Sequence, residues 1–227
     1  GAGHRVTVYN RTEKKAQQWV QEFGGKSAKT PRDAAAGAQI VFSCVGNDAD
    51  LASVMLGETG ALAGMRKDAI AFDNTTASAK IARELYAEAR KRGLHFIDGP
   101  VSGGQAGAVN GQLAVMCGGD KPAFDRAQPV AMAFAKAVTL IGDSGAGQLT
   151  KMVNQLCIAG LAEGLSEGIS FGQAAGLDMK LVLQVIGKGA AQSWQMDNRG
   201  GTMVDGKFDF GFAVDWMRKD LGLCLDE

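Results

Sequence analysis

Gly145-Ala-Gly-Gln-Leu-Thr-Lys-Met-Val-Asn154 divides this sequence into two kinds of pattern. Upstream, short β-branched and apolar runs alternate with helical ones; downstream, only helical patterns are found. The stretch opens on two glycines, and Lys151 and Asn154 stand at i and i+3, so a helix carries them on one face. A polar pair at the junction of two architectures is where a ligand cleft is expected.

Upstream of the junction, strands are predicted at 4–9, 40–45, 69–73, 95–98, 113–117 and 137–140. Helices are predicted at 13–23, 31–36, 49–56, 79–92 and 122–135. Thr12 stands where it would N-cap the first helix, and Gly24-Gly25 ends it. Strands alternating with helices mean βαβ units and a mostly parallel, doubly wound α/β sheet. In such sheets the turns at the carboxyl ends of the strands face the ligand. Here those turns are Asn10-Arg11-Thr12, Val45-Gly46-Asn47, Asn74-Thr75-Thr76 and Pro100 to Gly104.

Downstream, one long helix is expected from 147 to about 175, roughly 40 Å at 1.5 Å per residue. It carries Gly160, Gly164, Gly168, Gly172 and Gly176, spaced four apart. A helix-interior glycine costs about 1 kcal/mol, so the stripe is expected to admit another backbone closely. Glu163 and Glu167 exclude a membrane helix. Amphipathic helices are expected at 177–186 and 212–225, with a loop around Gly200-Gly201. The two patterns give domains at 1–143 and 144–227.

Lys plus Arg and Asp plus Glu are both 24 in 227 residues, and no basic run stands out, so nothing points to nucleic acid. With 46% hydrophobic and 21% charged residues the composition is that of a globular protein. Cys44, Cys117, Cys157 and Cys224 are far apart, with no CxxC or Cys/His cluster. They read as free thiols in a reducing cytoplasm rather than metal ligands or disulfides. No apolar run reaches membrane-spanning length, and no signal peptide is visible.

Three stretches carry candidate chemistry. Asn10-Arg11-Thr12 ends the first strand, where an acidic residue selects NAD and an arginine accepts the NADP 2′-phosphate. No Asp or Glu is there, although the triplet alone is better explained by a surface arginine capping a turn. Pro100-Val-Ser-Gly-Gly104 offers a hydroxyl and backbone N–H groups as a carboxylate or phosphate cradle, or else is a structural turn. Lys151 can serve as general acid/base where burial lowers its pKa; the plain alternative is a solvated helix lysine. Gly1-Ala-Gly3 is no phosphate loop, since no strand precedes it and no third glycine follows.

The order of motifs is more specific than any one of them. Asn10-Arg-Thr, Cys44-Val-Gly-Asn-Asp, Asp73-Asn-Thr-Thr, Asp98-Gly-Pro-Val-Ser-Gly-Gly, Gly145-x-Gly-x-x-x-Lys-x-x-Asn and Lys219-Asp-Leu together resemble the β-hydroxyacid dehydrogenases. That is the family of 3-hydroxyisobutyrate dehydrogenase and 2-hydroxy-3-oxopropionate reductase. The resemblance implies a Rossmann domain joined by the long helix to an all-helical domain. It implies Lys151 as the catalytic acid/base, with Ser102, Gly103, Gly104 and Asn154 around a small carboxylate substrate. It implies Asn10, Arg11, Thr12, Val45, Gly46, Thr76 and Lys219 along the cofactor, NADP first with NAD as the alternative. It also implies homo-oligomers formed through the helical domain, for which the glycine stripe would serve.

Against the family pattern, Val45-Gly46 replaces a usual Leu-Pro, and the first strand, its GxGxxG loop and the last helices are missing. Poor NADP binding, or none, by these 227 residues alone is the resulting expectation. Two other readings compete: a related imine or semialdehyde reductase on the same scaffold, and a non-catalytic dehydrogenase-like assembly module. Lysine at 151 favours hydroxy-acid or aldehyde-acid chemistry over imine reduction and over the assembly module.

Overall fold

The structure, a computed structural model, describes residues 2–227. It is an α/β fold followed by helices, and it divides into two compact units, one ending at Lys151 and one beginning at Met152. Gly1, part of the rejected phosphate-loop reading, lies outside the described residues.

In the first unit β1 (Thr7–Val8) pairs in parallel with β2 (Lys26–Ser27), separately from the main sheet. The main sheet has six strands. β3 (Ile40–Ser43), β4 (Ile70–Asp73) and β5 (His95–Asp98) run parallel side by side. β7 (Leu113–Gly119) pairs antiparallel with β5 and with the short β6 (Val101–Ser102), and parallel with β8 (Ala135–Gly142). The expected Rossmann-type sheet is therefore present, with β7 and β8 running opposite to β3, β4 and β5.

Both faces of this sheet are covered, and the pleat explains how. All four residues of β4 are buried. Ala71 joins Leu51, Met55, Ile81 and Leu85 in one core, while Ile70 and Phe72 join Ile97, Phe124 and Ala127 in another. Successive strand residues point to opposite faces, so an apolar run is what a doubly covered strand requires. The helices of this unit are α1 (Glu13–Phe23), α2 (Pro31–Ala35), α3 (Asp48–Met55), α4 (Ala61–Gly64), α5 (Ala79–Lys91), α6 (Gly104–Val109) and α7 (Lys121–Ala131). In α5, Ser78 accepts the N–H of Ile81 as N-cap, and Ile81, Ala82, Leu85 and Ala89 form the buried stripe.

α8 (Ala146–Ala174) is the expected long helix, about 43 Å over its 29 residues. The second unit continues from it through α9 (Met179–Ile186), a π-helical turn at Met196–Gly200, α10 (Gly201–Val204) and α11 (Val214–Asp226). Leu165, Ile169, Met179 and Met196 form its core.

Four details differ from the sequence reading. The first strand shrinks to two residues. Thr12 occupies the N-cap position without a side-chain cap bond; its own N–H is held by Asn10 Oδ1 at 2.9 Å. Gly200 and Gly201 are helical, and a Cβ at Gly200 would touch Leu183. Among the glycines of the stripe, only Gly172 has a close neighbour, Met179; a Cβ at Gly160, Gly164 or Gly168 would meet nothing within 4 Å among the described residues. No described helix is long and apolar enough to cross a membrane.

Candidate active site

Parallel pairing aligns Ser43, Asp73 and Asp98 across the carboxyl ends of β3, β4 and β5. Both carboxylates are buried. Asp73 Oδ1 accepts from Ser43 Oγ at 2.6 Å and Thr75 Oγ1 at 2.7 Å. Asp98 accepts the N–H groups of Gly145 at 2.7 Å and Gln148 at 3.1 Å. It is thus the anion at the N-terminus of α8, where orphan N–H groups and the helix dipole favour negative charge. Desolvation outweighs these bonds, pushing Asp73 up to about 7 and Asp98 up to about 6.

Contact here is close enough to demand glycine. A Cβ on Gly147 would stand 2.3 Å from Met116 O and 2.7 Å from Asp98 O, and one on Gly118 would stand 2.8 Å from Ala146 N. Backbone therefore rests on backbone where α8 begins, and Lys151 follows one turn later, buried at 6% exposure.

The loops carrying the expected cofactor residues are tied to one another. Val45 N–H donates to Thr75 Oγ1 at 3.0 Å, and Asn74 Nδ2 donates to Gly99 O at 2.6 Å. Asp48 Oδ1 accepts the N–H of Ser78 at 2.9 Å. Val45, Gly46 and Thr76 are half-buried on these loops. Arg11 is exposed, its guanidinium 3.1 Å from Asp50 Oδ1.

Ser102 ends β6 opposite Ala114 of β7, two residues from the Met116 against which α8 begins. Gly103 and Gly104 follow with φ of +131° and +62°, backbone that side chains rarely adopt. The stretch expected as a turn is thus a strand, a left-handed pair and the start of a helix.

In the second unit Asn154 and Lys219 meet through residues the sequence did not single out. Asn154 Nδ2 donates to Gln155 Oε1 at 2.8 Å, and Gln155 Nε2 to Asp220 Oδ2 at 2.6 Å. Lys219 Nζ lies 2.9 Å from Asp220 Oδ1. Gln155 and Asp220 are each 1% exposed. One signal was available: Gln148, Lys151 and Gln155 stand at i, i+3 and i+7, a polar line at core spacing. Asp98 lay inside a quoted motif but had no role.

A cavity of about 500 Å³ bounded by Arg90, His95, Asp120 and Lys121 contains none of the predicted residues. The exposed, cationic Arg11 and the half-buried Val45, Gly46 and Thr76 lie on the strand-end loops, outside that cavity.

Two family models cover the chain. Residues 1–142 match the NAD-binding domain of 6-phosphogluconate dehydrogenase, and residues 145–227 match the NAD-binding region of NADP-dependent 3-hydroxyisobutyrate dehydrogenase. The chain belongs to the β-hydroxyacid dehydrogenase family. Among its relatives, an uncharacterized oxidoreductase of Shewanella frigidimarina is 60% identical over 225 residues, 99% of this chain and 77% of that protein. The structure of Psf3 in complex with NADP+ and 2-OPP superposes with a TM-score of 0.90 at 27% identity, covering 99% of this chain and 79% of that one. Mycobacterium tuberculosis 3-hydroxyisobutyrate dehydrogenase with L-serine superposes at 0.89 and 29% identity, covering 100% and 79%.

Proposed function

We propose that this dehydrogenase interconverts a small β-hydroxy acid and its semialdehyde or oxo acid, with Lys151 as general acid/base and NADP as the preferred cofactor. The carrying observation is a buried lysine one turn into a helix whose start is locked to the carboxyl edge of the sheet. Bound NADP supplies the hydride acceptor, and NADPH the hydride donor, at the substrate carbon. Lys151 Nζ gives a proton to the carbonyl oxygen during reduction and takes the hydroxyl proton during oxidation. Ser102, the Gly103-Gly104 backbone and the Asn154 carboxamide hold the substrate carboxylate. With the cofactor bound, Arg11 would meet the 2′-phosphate with Asn10 and Thr12 in the same turn, and Val45, Gly46, Thr76 and Lys219 would line the dinucleotide. Domains at 1–143 and 144–227 divide these roles.

Titration of the full-length protein with NADPH and NADH, against a panel of semialdehydes and hydroxy acids, tests the reading beside Lys151→Ala. A positioned acid/base contributes roughly 10²- to 10⁴-fold, so kcat falls by that order. Intact turnover in Lys151→Ala overturns the mechanism.

A further inference from the structure

Gln148 is fully buried and spends both ends of its side chain on a loop more than seventy residues away. Its Oε1 accepts the N–H of Ala77 at 3.1 Å, and its Nε2 donates to Thr75 O at 2.8 Å. Its own N–H is held by Asp98 Oδ2. The two side-chain bonds bracket Thr76, the residue between them.

We propose that Gln148 is a positioning residue that fixes the Thr75–Ala77 backbone to the first turns of α8, so that Thr76 and Lys151 are held in one frame. The inference rests on the reading of Lys151 as acid/base and of Thr76 as a cofactor contact. Space filling alone does not account for the residue. A buried amide is costly unless hydrogen-bonded, and Met or Leu would fill the same volume without that demand. Both polar ends bind backbone, so the bonds specify where the loop runs whatever its side chains are. Gln148 and Lys151 stand at i and i+3, so the tie lies on the helix face that carries Lys151. Two further bonds of the loop, from Asn74 Nδ2 to Gly99 O and from Val45 N–H to Thr75 Oγ1, tie it to the residue after β5 and to the β3 loop. Fixing the cofactor side and the proton donor in one frame matters because misplacement of about 1 Å can cost on the order of 10²-fold in rate.

Two variants separate positioning from bulk structure. Gln148→Met keeps the volume and loses both bonds. Gln148→Glu restores both when protonated, because its carbonyl accepts from Ala77 and its O–H donates to Thr75; ionised, it loses the donor. Burial raises a carboxyl pKa, so the protonated form persists toward neutral pH. The first readout needs no cofactor: amide hydrogen exchange of Ala77 in the full-length protein. Gln148→Met is expected to lose protection at Ala77 by about tenfold or more, with kcat down and the NADPH KM up by a similar order. Gln148→Glu is expected to approach wild-type protection and turnover at low pH and to fall away as pH rises, unlike wild type.

Ala77 protection and kinetics within about twofold of wild type in Gln148→Met overturn the proposal. If that variant does not fold, a Gln148→Glu pH profile parallel to wild type overturns it equally. Should Lys151→Ala, assayed alongside, keep its turnover, the catalytic reading fails, while Ala77 exchange still decides the tie.

Discussion

Asp73 and Asp98 are cross-strand partners at the carboxyl ends of adjacent parallel strands, both shut off from solvent. Their carboxyls are raised from the ordinary 3.8 to about 7 and about 6, first by burial; for Asp73 the neighbouring Asp98 charge adds to the rise. The folded state therefore holds more protons than the unfolded chain between about pH 4 and about 7, and stability falls as pH rises through that window. Asp73→Asn removes one titration. Its melting temperature relative to wild type is expected to climb from about pH 4 to about pH 7. A pH-independent difference contradicts this.

Glycine has opposite meanings at the two ends of α8. Gly147→Ala drives a Cβ into Met116 O and Asp98 O, both backbone atoms that cannot swing aside. A loss of about 1–3 kcal/mol is expected in denaturant unfolding. Gly164→Ala meets nothing within 4 Å and should gain roughly 0.5–1 kcal/mol of helix propensity. A loss at Gly164 would instead show that a second chain covers that face.

Asp220 joins Lys219 to Gln155 inside the second unit. Asp220→Ala leaves the Gln155 amide unsatisfied and removes the carboxylate beside Lys219, with an expected loss of roughly 3 kcal/mol in urea unfolding. Asp220→Asn keeps an acceptor for Gln155 and should lose less. Equal losses would show that the Gln155 bond contributes nothing.

Arg11 makes an exposed pair with Asp50, a contact worth little to stability. Arg11→Ala should leave the melting temperature and the NADH KM nearly unchanged. Loss of a charge-assisted phosphate contact is worth about 1.5–3 kcal/mol, so the NADPH KM should rise on the order of 10- to 100-fold. Parallel changes in both KM values would remove Arg11 from the 2′-phosphate site.

By itself the sequence determined the alternation of strand and helix, the long helix after Gly145 and the position of Lys151 on it, because apolar periodicity reports directly which face of an element is buried. Periodicity carries no information about partners distant in sequence. The bonds from Asp98 to Gly145 and Gln148, from Gln148 to the Thr75–Ala77 loop, and from Gln155 to Asp220 span 47 to 73 residues. Only tertiary structure decides such pairs, since a polar group enters the interior just where another chain segment satisfies it. The same holds for the stretch at Pro100 to Gly104. Its composition reads as a turn, yet pairing with β7 makes part of it a strand.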